Sequence, residues 1–316
     1  MTAIGADQRE ETLAFNALLR ELLAAAPGIE TVPVENTRRA RYEGKSVFPE
    51  PVFVDEARWA DVPSRGGGLR ARILPPEGKA AGVYLHIHGG GWSIGAADLQ
   101  DVLLLQLARE TQLVVASLDY RLAPEHPYPA APDDCEDAAL WLLDGGAHEL
   151  GAPPALAIGG ESAGAHLSAV TLIRLRDRHR VSDPFKAANL VYGAFDLSGT
   201  PSRRLADEHT LVLTDPGMTW FNHNFLPEHD SEQRRDPDIS PLYADLRGLP
   251  PALFTVGTAD PLLDDTLFMA ARWQAAGNDA ELRVYADGVH GFNAFPIAIG
   301  KAANEAQSEF LRASFA

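Results

Sequence analysis

Gly160-Glu161-Ser162-Ala163-Gly164 constrains the fold more than any other stretch of the chain. The residues before it, Ala155-Leu156-Ala157-Ile158 after Pro153-Pro154, are few and apolar, and read as a buried strand. Those after it, Ala163 to Asp177, carry apolar residues three and four apart and read as a helix. A Gly-x-Ser-x-Gly between strand and helix is the pattern of a nucleophile elbow, where a serine stands clear of the backbone on a sharp turn. Bulkier residues at 160 and 164 would collide with the neighbouring strand and helix. Gly and Ser are common in loops, so the pentapeptide alone says little. Its setting gives it weight.

Around the elbow, strands and helices alternate. Val83–Ile87, Leu113–Leu118, Asn189–Tyr192, Ala252–Val256 and Glu281–Tyr285 read as strands. Helices are expected from Asp98, as N-cap, through Leu107, over Asp133–Leu143 and Asp264–Ala276, and from Ile297 to Phe315. Upstream, Val52-Phe53-Val54 and Leu69–Leu74 flank Ser64-Arg65-Gly66-Gly67-Gly68 and suggest an antiparallel pair. Such alternation implies right-handed crossovers and a mainly parallel sheet covered on both faces. Glu10 to Ala26 reads as an amphipathic helix ended by Pro27-Gly28, and residues 31–50 carry no clear pattern. Between about Leu205 and Asp238 the alternation breaks, with Trp220, Phe221, Phe225 and Leu226 among His and Asn.

The 316 residues carry a formal charge of −17, which argues against nucleic acid and anionic membrane surfaces and slightly favours neutral substrates. Cys135 is the single cysteine and cannot form an internal disulfide. No apolar run reaches the ~18 residues that span a bilayer, and Met1 to Arg20 lacks a signal-peptide pattern. A cytoplasmic location is the expectation.

A serine hydroxyl needs a base to take its proton and a carboxylate to hold that base in the right tautomer. In this architecture the acid and then the histidine follow the serine, each on a loop beyond a strand. His290 is the only histidine after the last strand, and Asp260 follows the strand ending at Val256, so the expected set is Ser162, Asp260 and His290. Asp196 is the rival acid. Asp264 or Asp265 is expected to cap the following helix better than Asp260 does. Directly after another strand stands His88-Gly89-Gly90-Gly91-Trp92. Glycines there let backbone N–H groups approach a developing oxyanion closely, with Ala163 supplying another donor. A phosphate cradle is excluded by the lack of Gly-Lys-Ser/Thr or Gly-x-Gly-x-x-Gly. No pair of His or Cys has metal-ligand spacing.

Together with Asp119-Tyr120-Arg121-Leu122-Ala123-Pro124-Glu125, Asp260-Pro261-Leu262 and His290-Gly291-Phe292, these motifs resemble the hormone-sensitive-lipase-like esterases of the α/β-hydrolase fold. The resemblance runs from about residue 52 to the C-terminus, and the N-terminal helix fits it too. It implies an eight-stranded, mainly parallel α/β sheet with helices on both faces and a helical cap. Residues 1–50 and 205–238 would form that cap, over a core of 51–204 and 239–316. It further implies a carboxylic-ester hydrolase for short to medium acyl chains, with no cofactor, with Gly90, Gly91 and Ala163 as oxyanion donors and Gly89 shaping their loop. The expected partner is a small-molecule ester; a homodimer is left open. An amidase or lactonase with the same triad, or a binding receptor without catalysis, are the alternatives. Glu161 departs from the Asp or Thr frequent before the nucleophile. His86 reads as a hydrogen-bonded core histidine, His88 as a brace for the glycine loop, and His166 as packing beneath the site.

Overall fold

The computed structural model describes residue 2, residues 5–181 and residues 184–316. Eight strands form one sheet: β1 Arg58–Asp61, β2 Arg70–Leu74, β3 Gly82–Ile87, β4 Leu113–Leu118, β5 Leu156–Glu161, β6 Ala187–Val191, β7 Ala252–Gly257 and β8 Ala280–Tyr285. Their order is β1-β2-β4-β3-β5-β6-β7-β8. β1 pairs antiparallel with β2 and β2 with β4; every other pairing is parallel. The central strands β3 and β4 are buried throughout and mostly apolar because both faces are covered.

Side-chain alternation sorts the helices between those faces. Val83, Leu85 and Ile87 of β3 point into the cluster that holds α4 (Ala130–Trp141), α6 (Ala163–His179) and α9 (Leu263–Ala275). Tyr84 points the other way, toward α3 (Asp101–Thr111) and Leu311 of α10 (Ala298–Ser314). The N-terminal α1 (Ala6–Ala24) lies against α10. The stretch 31–50 contains α2 (Val34–Tyr42), and the one-turn α5 (Ala147–Glu149) follows α4. Residues 201–225 supply α7 (Pro201–Leu205) and α8 (Asp215–Phe225), with no strand.

Two expectations fail. Val52-Phe53-Val54 is not a strand: the partner of β2 is the polar Arg58–Asp61, whose Trp59 lies under the Arg70 guanidinium at 4.5 Å. The apolar triplet serves other contacts, with the Val54 N–H donating to Asp101 Oδ2 (3.1 Å) and Phe53 stacked on Tyr42. Asp98 caps nothing; it accepts from the Tyr42 hydroxyl, and α3 starts later, at Asp101, whose carboxylate holds Arg72. The glycine-bearing end of β5 is longer than expected and runs directly into the serine. Gly159 and Gly160 are buried strand positions paired with β3 and β6.

Candidate active site

Ser162, Asp260 and His290 follow the carboxyl ends of β5, β7 and β8, and the glycine loop follows β3. Parallel strands deliver all four to one edge of the sheet. The Ser162 backbone sits at φ 56°, ψ −118°, a conformation an L-residue holds only under strain. Close approach explains the flanking glycines. A Cβ at Gly160 or at Gly164 would lie 1.8 Å from the Ile87 carbonyl oxygen, so both collisions are with β3.

The loops carrying Asp260 and His290 are packed into each other. A Cβ on Gly257 would lie 2.0 Å from the Gly288 carbonyl oxygen. The Ala259 N–H donates to that oxygen (3.0 Å), and the Asp287 N–H donates to Thr258 Oγ1 (2.8 Å). His290 is 7% exposed and Asp260 3%. His290 Nδ1 lies 2.9 Å from Asp260 Oδ2 and Nε2 lies 2.9 Å from Ser162 Oγ. The aspartate oxygen only accepts, so the proton is on Nδ1 and Nε2 is free to accept from the serine hydroxyl. Asp260 Oδ1 accepts from the Leu262 N–H (2.8 Å), which fixes the second oxygen.

The rival acid is elsewhere: Asp196 accepts from Ser198 (2.6 Å) and Tyr243 (3.0 Å). Neither Asp264 nor Asp265 caps its own helix, contrary to expectation. Asp265 instead accepts from the Phe195 and Asp196 N–H groups and from Thr200, tying down the chain after β6. Burial pushes its carboxyl up to about 7.

In the glycine loop, Gly90 and Gly91 take φ values of 114° and 55°. The N–H groups of Gly90, Gly91 and Ala163 have no hydrogen-bond acceptor among the described residues. Gly89 packs on the elbow, where a Cβ would meet the Glu161 carbonyl oxygen at 2.8 Å. His88 Nδ1 donates to the Gly89 carbonyl (2.7 Å), and its ring stacks on Tyr120 at 4.2 Å, bracing the loop as expected. Burial lowers its pKa to about 4, so the ring is neutral. Trp92 anchors the far end, donating to His166 Nδ1 (3.1 Å) while His166 Nε2 donates to the Ile239 carbonyl (2.7 Å). His166 also falls to about 4, again through burial. Glu161 reaches the buried His86, at 3.1 Å from Nε2, and His86 Nδ1 accepts from Ser117 (2.9 Å). The carboxylate before the nucleophile thereby joins β5 to β3 and β4.

Tyr192 and Arg38 escape sequence reading, as does the particular contact made by Phe221, which stands in the aromatic cluster of 205–238. Tyr192, at the end of β6, lies 4.7 Å from the His290 ring and donates to Asn293. Phe221 covers the glycine loop so closely that a Cβ on Gly91 would fall 2.2 Å from its ring. Arg38 of α2 clamps the N-terminal segment to Glu125 through two bonds of 2.8 and 2.9 Å and to the Ser93 carbonyl (2.8 Å). No local pattern marks these contacts, because each joins segments far apart in sequence. A cavity of about 1210 Å³ opens above Ser162 and His290, walled by Ile29 and Phe48 on one side and by Leu211, Met218 and Phe221 on the other. Phe225 is not part of that wall; it stacks on Trp92 at 4.6 Å.

Comparison with known proteins agrees with this architecture. Residues 84–294 match the model of the α/β hydrolase fold family. The carboxylic ester hydrolase LipN of Mycobacterium tuberculosis is 38% identical over 262 residues, covering 81% of this chain and 69% of the relative. The chain belongs to the α/β-hydrolase family, among its hormone-sensitive-lipase-like esterases. Carboxylesterase NlhH of the same organism is 36% identical over 233 residues, 70% of this chain and 69% of the relative. Among solved structures, the esterase of the hyperthermophile Pyrobaculum calidifontis superposes with a TM-score of 0.86 at 31% identity, over 96% of this chain and 98% of that one. A hormone-sensitive lipase from a metagenome library gives 0.84 at 27%, over 96% and 98%. In this α/β hydrolase no described helix is long and apolar enough to cross a membrane.

Proposed function

We propose that this chain is a serine carboxylesterase that hydrolyses short- to medium-chain esters through an acyl-enzyme intermediate. The observation that carries the reading is one imidazole bridging two partners, with Ser162 Oγ and Asp260 Oδ2 each 2.9 Å from His290. Ser162 Oγ attacks the ester carbonyl carbon as His290 Nε2 takes its proton. Asp260 holds Nδ1–H and stabilises the imidazolium. The carbonyl oxygen becomes an oxyanion that accepts from the N–H groups of Gly90, Gly91 and Ala163, with Gly89 shaping the loop. Proton return from His290 releases the alcohol. Water, deprotonated by the same nitrogen, then cleaves the acyl-serine bond and frees the acid. Residues 1–50 and 205–238 act as the cap that shapes the substrate cavity.

Labelling with a fluorophosphonate probe followed by peptide mapping tests the assignment. The expected adduct is on Ser162, together with turnover of nitrophenyl esters from acetate to octanoate that exceeds turnover of matched anilides. An adduct on another residue, or none, would overturn it.

A further inference from the structure

Arg203 stands in α7, on the wall of the cavity that also contains Ser162 and His290. It is half-buried, and among the described residues its guanidinium makes no hydrogen bond and no ion pair. The other cations of that wall are engaged: Arg20 with the His209 carbonyl, Arg41 with the Pro49 carbonyl and the Phe48 ring, Lys45 with Glu43. Nearby carboxylates do not answer Arg203. Asp265 is occupied by Phe195, Asp196 and Thr200, and Asp196 by Ser198 and Tyr243, while Asp215 interacts only through space. Burial pushes the guanidinium below the ordinary arginine range, while Asp215, Asp265 and Asp196 raise it through space and Arg234 lowers it, none of them in hydrogen-bond contact.

We infer that Arg203 receives a carboxylate carried by the substrate away from the scissile bond, so that preferred esters bear a free acid group. This deepens the serine-esterase reading and rests on it. A guanidinium presents donors in a planar fork that matches both oxygens of a carboxylate, and such charge-assisted pairs are the strongest hydrogen bonds a pocket can offer. The net charge of −17 does not oppose this, because exposed charges beyond about 8–10 Å are screened at physiological salt while contact with Arg203 is local.

The test compares matched pairs: mono(4-nitrophenyl) adipate against 4-nitrophenyl hexanoate, and 4-(butanoyloxy)benzoate against its methyl ester. One pair places the acid on the acyl side, the other on the alcohol side. In at least one pair the wild-type ratio of kcat/KM, charged over neutral, is expected to fall by about 10- to 100-fold in Arg203→Gln. Arg203→Lys, which keeps the charge and loses the fork, is expected to lie between. Ratios within twofold of wild type in both pairs overturn the role of Arg203 and leave the esterase reading standing. Wild-type protein that turns over no member of either pair overturns the esterase reading, and this inference with it.

Discussion

At the floor of the cavity, α6 buries every residue from Ala163 to Leu175, and each member of the triad follows a strand that the sheet holds in place. The roof is different. Helices α2 and α7 bury no residue at all, α1 buries only Thr12 and Leu19, Leu205 stands 85% exposed, and α8 alone is well anchored, through Met218, Phe221 and Phe225. The roof is held by a few long-range polar clamps, such as Arg38 on Glu125, and by aromatic contacts such as Phe221 on Gly91. A floor packed to contact distance fixes the geometry of the chemistry. A roof with few buried contacts can change its lining without disturbing that geometry. Under the proposed function, chemistry belongs to the floor and selectivity to the roof, and substitutions at the two levels should have different consequences.

The largest difference is expected from Ser162→Ala, which should lower turnover of 4-nitrophenyl butanoate by about 10⁴-fold or more with an unchanged circular dichroism spectrum. A variant that keeps a tenth of the activity would show that the floor does not carry the chemistry. Next comes Gly164→Ala. Its Cβ would lie 1.8 Å from the Ile87 carbonyl oxygen, so urea unfolding should reveal a loss of about 3 kcal/mol or more. An unfolding midpoint equal to wild type would mean that the elbow is not sterically locked.

On the roof, Phe221→Ala should raise the kcat/KM ratio of decanoate to butanoate ester about 10-fold while the protein still folds, since one ring is removed from a cavity wall. Loss of turnover across the whole acyl series would place the roof within the catalytic geometry and erase the contrast.

The smallest effect concerns pH. His88 and His166 sit at about 4 in the folded protein against an ordinary 6.5, so between those values the unfolded chain binds more protons. Their contribution is fully present above pH 6.5 and is lost as pH falls toward 4, at about 1–3 kcal/mol for each ring. Asp265 slopes the other way: raised from 3.8 to about 7, it favours the folded state at low pH, and that contribution fades as pH rises through this window. Comparison of His166→Gln with wild type isolates one histidine, and the urea midpoint of the variant should vary less between pH 6.5 and 4.5. Equal slopes would contradict a buried, neutral His166.

Much of the floor could be read from the chain because its demands are local. Serine, glycine loop, aspartate and histidine each stand just beyond an apolar run, and backbone sterics dictate the glycines around them. Even so, the partner of β2 was misplaced. Apolar composition suggested Val52–Val54, whereas the actual strand is polar and held by Trp59 beneath two arginines. Asp265 misled in a similar way: its position suggests a helix cap, but three donors from a distant loop claim it.

By itself the amino-acid sequence determined the alternation of strand and helix, and with it the sheet edge where Ser162, Asp260 and His290 had to emerge, because periodicity and glycine sterics act over a few residues. Tertiary structure alone decided that Tyr192 lies against His290, that Phe221 covers Gly91, that Glu161 reaches His86, and that Arg203 is left without a partner in the cavity wall. Those contacts join residues tens to hundreds of positions apart, and only the folded packing determines which of them meet.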